Sequence, residues 1–182
     1  MAIYLKCIPE YYLASIFEIP YEKLKKQGKN ALLFDLDNTI IDYHESILPT
    51  EMIEFLKKLE KDFKIIIISN SGKKRVSKAV GEHFDYIYHA TKPLKRGFKK
   101  AIKKIQLPVD QIVMIGDQLM TDVFGANRMG MTTVLVDAVA RKTDRFYTKL
   151  NRRIEKHYLN KIKKKAPEKY EKVLKAYADK NS

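Results

Sequence analysis

Side chains suited to phosphoryl transfer stand at two points where apolar segments of this chain end. Asp35 and Asp37 follow one such segment, and Ser69 with Asn70 follows the next. Side-chain direction along an extended chain has a period of two, so Asp35 and Asp37 are expected to point the same way. Such a pair suits a carboxylate nucleophile beside a second carboxyl group that acts as general acid and base.

Three further charged residues follow the later apolar segments. Lys92 comes after the third segment, Asp117 ends the fourth, and Asp122 lies five residues beyond Asp117. Crowded carboxylates repel one another, and a hard divalent cation such as Mg²⁺ relieves that repulsion through oxygen ligands. We therefore expect Asp117 to complete a Mg²⁺ site, Ser69 to donate to a phosphoryl oxygen and Lys92 to neutralise its charge.

Two of these residues are also suited to a purely structural role, and a calcium-binding loop at Asp35 is excluded. Asp122 is placed equally well to cap the helix that follows it, and Asn70 either orients Asp35 or holds a turn. An EF-hand calcium loop that begins at Asp35 is excluded, because its sixth position is Ile40 and such a loop needs glycine there.

The segments that must position these residues are predicted to be five strands separated by helices. The apolar runs are Ala31–Asp35, Lys64–Ser69, Tyr86–His89, Ile112–Gly116 and Thr132–Val136. Most are continuously apolar, which is typical of strands covered on both faces. Helical patterns fill the gaps at Thr50–Lys61, Lys73–Glu82, Lys95–Ile105 and Thr121–Met129. This alternation predicts an α/β fold with a doubly wound parallel sheet of five strands, in which ligands bind at the carboxyl ends of the strands.

The chain divides into three predicted regions. Residues 1–29 form an N-terminal extension packed on the core, residues 30–143 form the core, and residues 144–182 form a basic helical extension broken at Pro167. We expect two stripes of the last region to dock on the core. They are Tyr147, Leu150, Ile154 and Tyr158 in the first helix, and Tyr170, Val173, Leu174 and Tyr177 in the second.

The net charge of +14 is concentrated in the C-terminal region. Between residues 141 and 182, 15 Lys and Arg against 5 Asp and Glu give +10, and the rest of the chain carries 21 against 17, or +4. This asymmetry indicates a polyanionic partner, either an anionic membrane or a nucleic acid, unless the charge only solvates a helix face.

The sequence also favours a cytoplasmic protein. Its one cysteine, Cys7, has no partner for an internal disulfide, which suits a reducing compartment. No apolar run reaches the roughly 18 residues needed to span a bilayer, and the first residues lack the pattern of a secretory signal. We expect a soluble protein, or one held peripherally at the inner face of the membrane.

Four motifs, in this order, resemble those of the haloacid dehalogenase (HAD) superfamily. They are Asp35-Leu36-Asp37-Asn38-Thr39, Ser69-Asn70, Lys92-Pro93, and Gly116-Asp117 with Thr121-Asp122. The resemblance implies that Asp35 is the nucleophile and a Mg²⁺ ligand. It implies that Asp37 is the general acid and base, with its backbone carbonyl on the metal, as in the phosphatase branches.

The same resemblance assigns roles to the remaining motif residues. Ser69, with Asn70 beside it, would bind phosphate, and Lys92 would stabilise the pentavalent phosphorus. Asp117 would be a Mg²⁺ ligand, and Asp122 would support the metal site from outside the set of ligands.

The spacing of the motifs leaves no room for a cap domain. Asp37 and Ser69 are 32 positions apart and Ser69 and Lys92 are 23 apart, enough for one helix and one strand in each interval. An uncapped site is open to solvent, and it suits a phosphate carried on a lipid head group, a polymer end or a protein.

Further stretches resemble the YqeG-type, subfamily IIIA phosphatases, which include phosphatidylglycerophosphatases. They include Pro9, Ser15-Ile16, Ile19, Leu24, Gly28, Ile115-Gly116-Asp117-Gln118, Thr121-Asp122-Val123-Phe124-Gly125-Ala126-Asn127 and Asn151-Arg152-Arg153-Ile154-Glu155. The resemblance implies an enzyme that converts phosphatidylglycerophosphate to phosphatidylglycerol at a membrane surface.

Two alternatives stay open at this point. One is a phosphatase that acts on a nucleic-acid end or a phosphoprotein, with the basic extension as an RNA-binding arm. The other is a non-catalytic, ribosome-associated or RNA-associated member of the fold. Such a member is expected to have lost one of the four central residues, and none of Asp35, Asp37, Lys92 and Asp117 is missing.

Overall fold

Six parallel strands form a single sheet in the computed structural model, which describes residues 2–140 and 146–181. The strand order is β1-β6-β5-β2-β3-β4. The strands are β1 Tyr11–Leu13, β2 Ala31–Asp35, β3 Lys64–Ile68, β4 Asp85–Ile87, β5 Ile112–Gly116 and β6 Thr132–Val136. The α/β class and the parallel sheet are confirmed.

The predicted number of five strands is wrong, because residues 11–13 carry no strong strand signal and β1 was not predicted. This strand has only three residues, all of them partly exposed, and it pairs with β6 at the edge of the sheet, Tyr11 beside Val134. Such a short, half-exposed edge strand has too few residues to show a period. It belongs to the region predicted as an N-terminal extension.

Eight α-helices flank the sheet or follow it in the described part of the chain. They are α1 Tyr21–Lys26, α2 Thr50–Leu59, α3 Lys73–Val80, α4 Lys95–Ile105, α5 Phe124–Asn127, α6 Phe146–Lys165, α7 Pro167–Lys169 and α8 Lys175–Lys180. Two π-helical turns, Leu119–Val123 and Tyr170–Leu174, lead into α5 and α8. Residues 36–49 form a loop, and no domain is inserted between β2 and α4.

Both faces of the sheet are covered, which explains why its strands are continuously apolar. Leu32 and Phe34 of β2 belong to one hydrophobic cluster, and Ala31 and Leu33 belong to another on the opposite face, together with Phe98 of α4. Strands buried on both faces leave only their carboxyl ends open to polar chemistry.

The C-terminal helices pack on the β6 side of the sheet. Their buried apolar residues share a third hydrophobic cluster with Leu119 and Leu135. These residues are Leu159, Ile162, Tyr170, Leu174, Tyr177 and Ala178. Cys7 is fully buried in the same cluster, where burial, with a further contribution from Glu155, raises the pKa of its thiol to about 12. The thiol therefore stays protonated and unreactive.

Three residues of the second predicted docking stripe are buried and Val173 is half-buried, but the first stripe has a different register. Ile154 is 40% exposed, whereas its neighbour Glu155 is only 3% exposed. The α6 helix turns Glu155 inward, where hydrogen bonds from the Leu119 backbone and the Tyr177 hydroxyl satisfy its carboxylate. The side chains of Tyr147 and Leu150, and the predicted boundary between residues 143 and 144, lie outside the described residues.

No helix among the described residues has the length and apolar character required to traverse a bilayer.

The buried position of Leu174 generates a stability prediction. Leu174→Ala removes a fully buried side chain from the third cluster, and we expect the free energy of unfolding to fall by about 2–5 kcal/mol. Lys172→Ala, at an exposed position of the same helical segment, is the matched control and should change stability by less than about 0.5 kcal/mol. Chemical denaturation measures both, and equal stability of the two variants would contradict docking of this segment.

Candidate active site

The ammonium group of Lys92 is the centre of the polar cluster at the carboxyl ends of the strands. Its Nζ lies 2.5 Å from Asp35 Oδ1, 2.7 Å from Asp122 Oδ1 and 3.1 Å from the carbonyl oxygen of Ile68. Burial alone would lower the pKa of Lys92, but the charges of Asp122 and Asp35 raise it above its usual value. Lys92 is therefore a buried cation at neutral pH.

Strand register and one amide side chain place Lys92 beside Asp35. Asp35 is the last residue of β2 and pairs with Ile68, the last residue of β3. Asn70 then binds the Lys92 backbone twice, donating from Nδ2 to its carbonyl over 3.0 Å and accepting from its N–H over 2.6 Å. The role that these contacts give Asn70 is to hold the chain at Lys92, which differs from both roles predicted for it, orienting Asp35 or holding a turn.

Asp122 supports Lys92 from the π-helical turn after β5. Its Oδ2 accepts a hydrogen bond from the Gln118 N–H over 3.1 Å, and its Oδ1 accepts from Lys92. This approach requires glycine at position 116, because a Cβ there would lie 2.5 Å from the Asp122 Cγ. Asp122 does not act as a helix cap in the structure. A capping carboxylate accepts from backbone N–H groups that follow it in the chain, whereas Asp122 accepts from the N–H of Gln118, four positions before it.

Three buried carboxylates provide a donor set that fits a divalent cation. One oxygen from each of Asp35, Asp117 and Asp122 lies within 4.8 Å of the others. The Thr39 hydroxyl is 3.4 Å from both Asp35 Oδ2 and Asp117 Oδ1, so these two oxygens face the same point. Burial raises the pKa of Asp35, Lys92 opposes that shift, and the neighbouring carboxylates reinforce it. A hard cation with oxygen ligands would stabilise the ionised cluster.

The Asp37 carboxylate lies at the mouth of the site and is held by three side chains. Its Oδ2 accepts from Ser69 Oγ over 3.2 Å and from Ser71 Oγ over 2.7 Å. Its Oδ1 accepts from Arg75 Nε over 3.1 Å and from a second Arg75 nitrogen over 3.0 Å. The side chain of Asp37 remains 19% exposed, against 6% for Asp35. Asp37 is thus the carboxylate that solvent reaches.

Comparisons with known proteins agree with this geometry. Residues 89–153 match the HAD-hydrolase-like family model. The probable phosphatase YqeG of Bacillus subtilis is 36% identical over 162 residues, which cover 87% of this chain and 92% of that protein. The chain belongs to the haloacid dehalogenase superfamily. It is a YqeG-type phosphatase of that superfamily, a phosphoric monoester hydrolase.

More distant similarities extend to an enzyme of lipid metabolism and to a solved structure. Chloroplastic phosphatidylglycerophosphate phosphatase 1 of Chlamydomonas reinhardtii is 26% identical, and the match covers 84% of this chain but only 61% of that protein. A hypothetical protein from Xanthomonas campestris has a similar fold, with a TM-score of 0.50 at 15% identity over 72% of this chain and 80% of its own.

The HAD phosphatase brings its sequence-predicted residues to one edge of the sheet. Asp35, Asp117, Asp122 and Lys92 form the buried cluster, and Asp37 with Ser69 lies at its mouth. Asn70 joins them through the Lys92 backbone.

Sequence reasoning missed three residues of this site. Ser71 and Arg75 bind Asp37, and Arg152 of α6 binds Asp117. Ser71 and Arg75 had a signal, because they stand directly after the Ser69-Asn70 motif and in the first turn of α3. Arg152 lies in the Asn151–Glu155 stretch that resembles the YqeG-type family, but spacing and periodicity assign it no role, because only the folding of the C-terminal helix brings it to the end of β5.

The close approach of residues 116 and 122 generates a prediction on the phosphatase activity. Gly116→Ala should displace the Asp122 carboxylate and thereby loosen Lys92, which we expect to lower kcat/KM on p-nitrophenyl phosphate by roughly tenfold or more. Gly72→Ala is the control, since the added Cβ would meet its nearest neighbour, His89, at an ordinary 3.5 Å. Full activity of Gly116→Ala would contradict the role of Asp122 in holding Lys92.

Proposed function

We propose that this HAD phosphatase is a Mg²⁺-dependent hydrolase that converts phosphatidylglycerophosphate to phosphatidylglycerol through an aspartyl-phosphate on Asp35. The observation that carries the proposal is the position of Asp35, a buried carboxylate at a strand end with the Lys92 ammonium 2.5 Å away. Carboxylate nucleophiles split one hard displacement into two easier ones.

The two steps divide between two carboxyl groups. In the first, an Asp35 oxygen bonds to phosphorus, the bond from phosphorus to the ester oxygen breaks, and Asp37 gives its proton to the departing oxygen. In the second, Asp37 takes a proton from a water molecule whose oxygen attacks the aspartyl-phosphate, which releases inorganic phosphate and restores Asp35. The partly exposed position of Asp37 supports this role, because the leaving group departs to solvent and the water enters from it.

The remaining residues bind the metal ion and the phosphoryl group. Asp35, Asp117 and the backbone carbonyl of Asp37 would hold Mg²⁺, which when bound would neutralise the oxygens of the transferring phosphoryl group. Lys92 contributes a second positive charge, and Ser69, whose hydroxyl donates to Asp37 in the structure, would turn that hydrogen bond to a phosphoryl oxygen.

The surroundings of the site support a phosphate carried on a lipid. No domain is inserted between β2 and α4 to cover the site, and the apolar residues Leu94, two positions after Lys92, and Val139 are 59% and 57% exposed. The Val139 N–H donates to the Asn38 carbonyl over 2.8 Å, which ties that apolar residue to the first motif. Phosphatidylglycerophosphate phosphatases of Chlamydomonas reinhardtii and Arabidopsis thaliana are relatives at 26% and 23% identity.

The basic C-terminal helices suit attachment to an anionic leaflet, which would make this a peripheral enzyme at the inner face of the membrane. Lys164, Lys165 and Lys169 are exposed, and each cationic residue near such a surface is worth about 1 kcal/mol. The buried face of these helices packs on the core, so their lysines are presented on a fixed surface.

The nucleophile is tested by Asp35→Asn. The amide has the same shape but does not attack phosphorus, so we expect turnover of p-nitrophenyl phosphate to be lost while the unfolding transition is retained. With Mg²⁺ and beryllium fluoride, a crystal of the wild-type protein should show density joined to Asp35. Substantial activity in Asp35→Asn, or an adduct on another residue, would end the proposal.

The lipid substrate is tested by reversing charges on the C-terminal helices. The variant Lys164→Glu, Lys165→Glu, Lys169→Glu should raise the apparent KM for phosphatidylglycerophosphate in phosphatidylcholine–phosphatidylserine vesicles by roughly 100-fold or more. Its activity on p-nitrophenyl phosphate should change by less than about twofold, and added salt should mimic the variant because exposed charges are screened within about 8 Å.

A matched control carries the same charge change on another helix. Lys99→Glu, Lys100→Glu, Lys103→Glu alters three exposed residues of α4 and should leave the apparent KM near the wild-type value. Equal effects of the two variants would assign vesicle binding to total charge rather than to the C-terminal helices. Faster hydrolysis of a 5′-phosphorylated oligonucleotide than of the lipid would favour the nucleic-acid alternative.

A further inference from the structure

The C-terminal helix α6 reaches the site through one arginine. A terminal nitrogen of Arg152 donates to the Asp117 carbonyl oxygen over 2.8 Å, and its other terminal nitrogen donates to Asp117 Oδ2. Asp117 is completely buried, and the Arg152 side chain is 12% exposed. A planar guanidinium that binds both the main chain and the side chain of one residue fixes the rotation of that side chain.

Fixing Oδ2 determines where the other carboxylate oxygen points. Asp117 Oδ1 lies 3.4 Å from the Thr39 hydroxyl, on the side of Asp35 Oδ2. The two oxygens of Asp117 therefore have different tasks, since one accepts from Arg152 and the other faces the carboxylate cluster.

Arg152 is itself held by the last helical segment. It donates to the Tyr177 hydroxyl over 3.3 Å and lies 3.9 Å from the Glu155 carboxylate. Tyr177 in turn donates to Glu155, whose other oxygen accepts from the Leu119 N–H over 3.2 Å. Tyr177 and Glu155 are both buried, so these hydrogen bonds are protected from competition with water.

We propose that Arg152 is a positioning residue that orients Asp117 toward the cation, so that the C-terminal helices complete the active site. The inference rests on the proposed function, because the role of Asp117 as a cation ligand belongs to it. The extension that the sequence suggests as a membrane anchor would then have a second task inside the site.

Replacing Arg152 has two effects on the affinity for a divalent cation, and they have opposite signs. Removing a positive charge beside a cation site would by itself strengthen binding of a divalent cation. Loss of the two hydrogen bonds would let the Asp117 carboxylate rotate, which withdraws a ligand oxygen and weakens binding. The sign of the change in cation affinity therefore distinguishes the two effects.

The experiment compares Arg152→Met with Arg153→Met in the full chain. Arg153 is exposed on the same helix, so its substitution removes the same charge without touching Asp117. Binding of Mn²⁺ is measured by electron paramagnetic resonance without substrate, and the Mg²⁺ concentration for half-maximal hydrolysis of p-nitrophenyl phosphate is measured separately. We expect Arg152→Met to weaken Mn²⁺ binding and to raise the Mg²⁺ requirement, each by roughly tenfold or more, and Arg153→Met to match the wild type.

Arg152→Lys keeps the charge and provides a second variant if Arg152→Met does not fold. A lysine ammonium lacks the fork that reaches both atoms of Asp117, so we expect intermediate Mn²⁺ affinity. Wild-type or tighter Mn²⁺ binding in either Arg152 variant would overturn the inference and leave the proposed function standing. A wild-type protein that binds no Mn²⁺ would overturn both.

Discussion

One buried ammonium group organises the active edge of this phosphatase. Lys92 bonds to Asp35 at the end of β2, to the carbonyl of Ile68 at the end of β3, and to Asp122 in the turn after β5. A buried charge persists only when it is paired and hydrogen-bonded, and removal of one partner of such a pair costs about 3–5 kcal/mol. The need to satisfy Lys92 therefore constrains three separate segments, and it also explains why position 116 must lack a side chain.

The parallel sheet makes this arrangement possible without a deep cavity. Neighbouring strands end level with one another, so the residues that follow them meet at one edge. Because both faces are covered by helices, the inner part of that edge is shielded from water, which strengthens the interactions among its charges. The outer part stays open, since the chain inserts no domain between β2 and α4. A charged cluster that is shielded from water thus lies next to the Asp37 carboxylate, which solvent reaches.

Much of this arrangement follows from local pattern. Five of the six strands, all except β1, are predicted by their apolar runs, and the residues after them are predicted by the rule that polar chemistry gathers at carboxyl ends. Three-residue β1 escapes such analysis because pairing with β6, rather than its own sequence, makes it a strand.

Other features depend on tertiary contacts that no local pattern encodes. The inward face of α6 carries Glu155 together with the apolar Leu159 and Ile162, and hydrogen bonds from the distant residues Leu119 and Tyr177 satisfy the buried carboxylate. Arg152 and Arg75 look like ordinary surface cations of basic helices until the fold aims them at Asp117 and Asp37. In a segment rich in lysine and arginine, local sequence does not distinguish the few cations that bind buried or partly buried carboxylates from the many that are only solvated.

The placement of Tyr177 has a consequence for the order of events during synthesis. The ribosome makes the sheet and all four motifs first, and Arg152 and Tyr177 emerge 35 and 60 positions after Asp117. The contacts that fix Asp117 are therefore the last of the site to form, however early the core acquires its hydrophobic packing. A nascent chain passes through a stage in which Asp35 and Lys92 are present while Asp117 still lacks these contacts, so translation itself delays completion of the site.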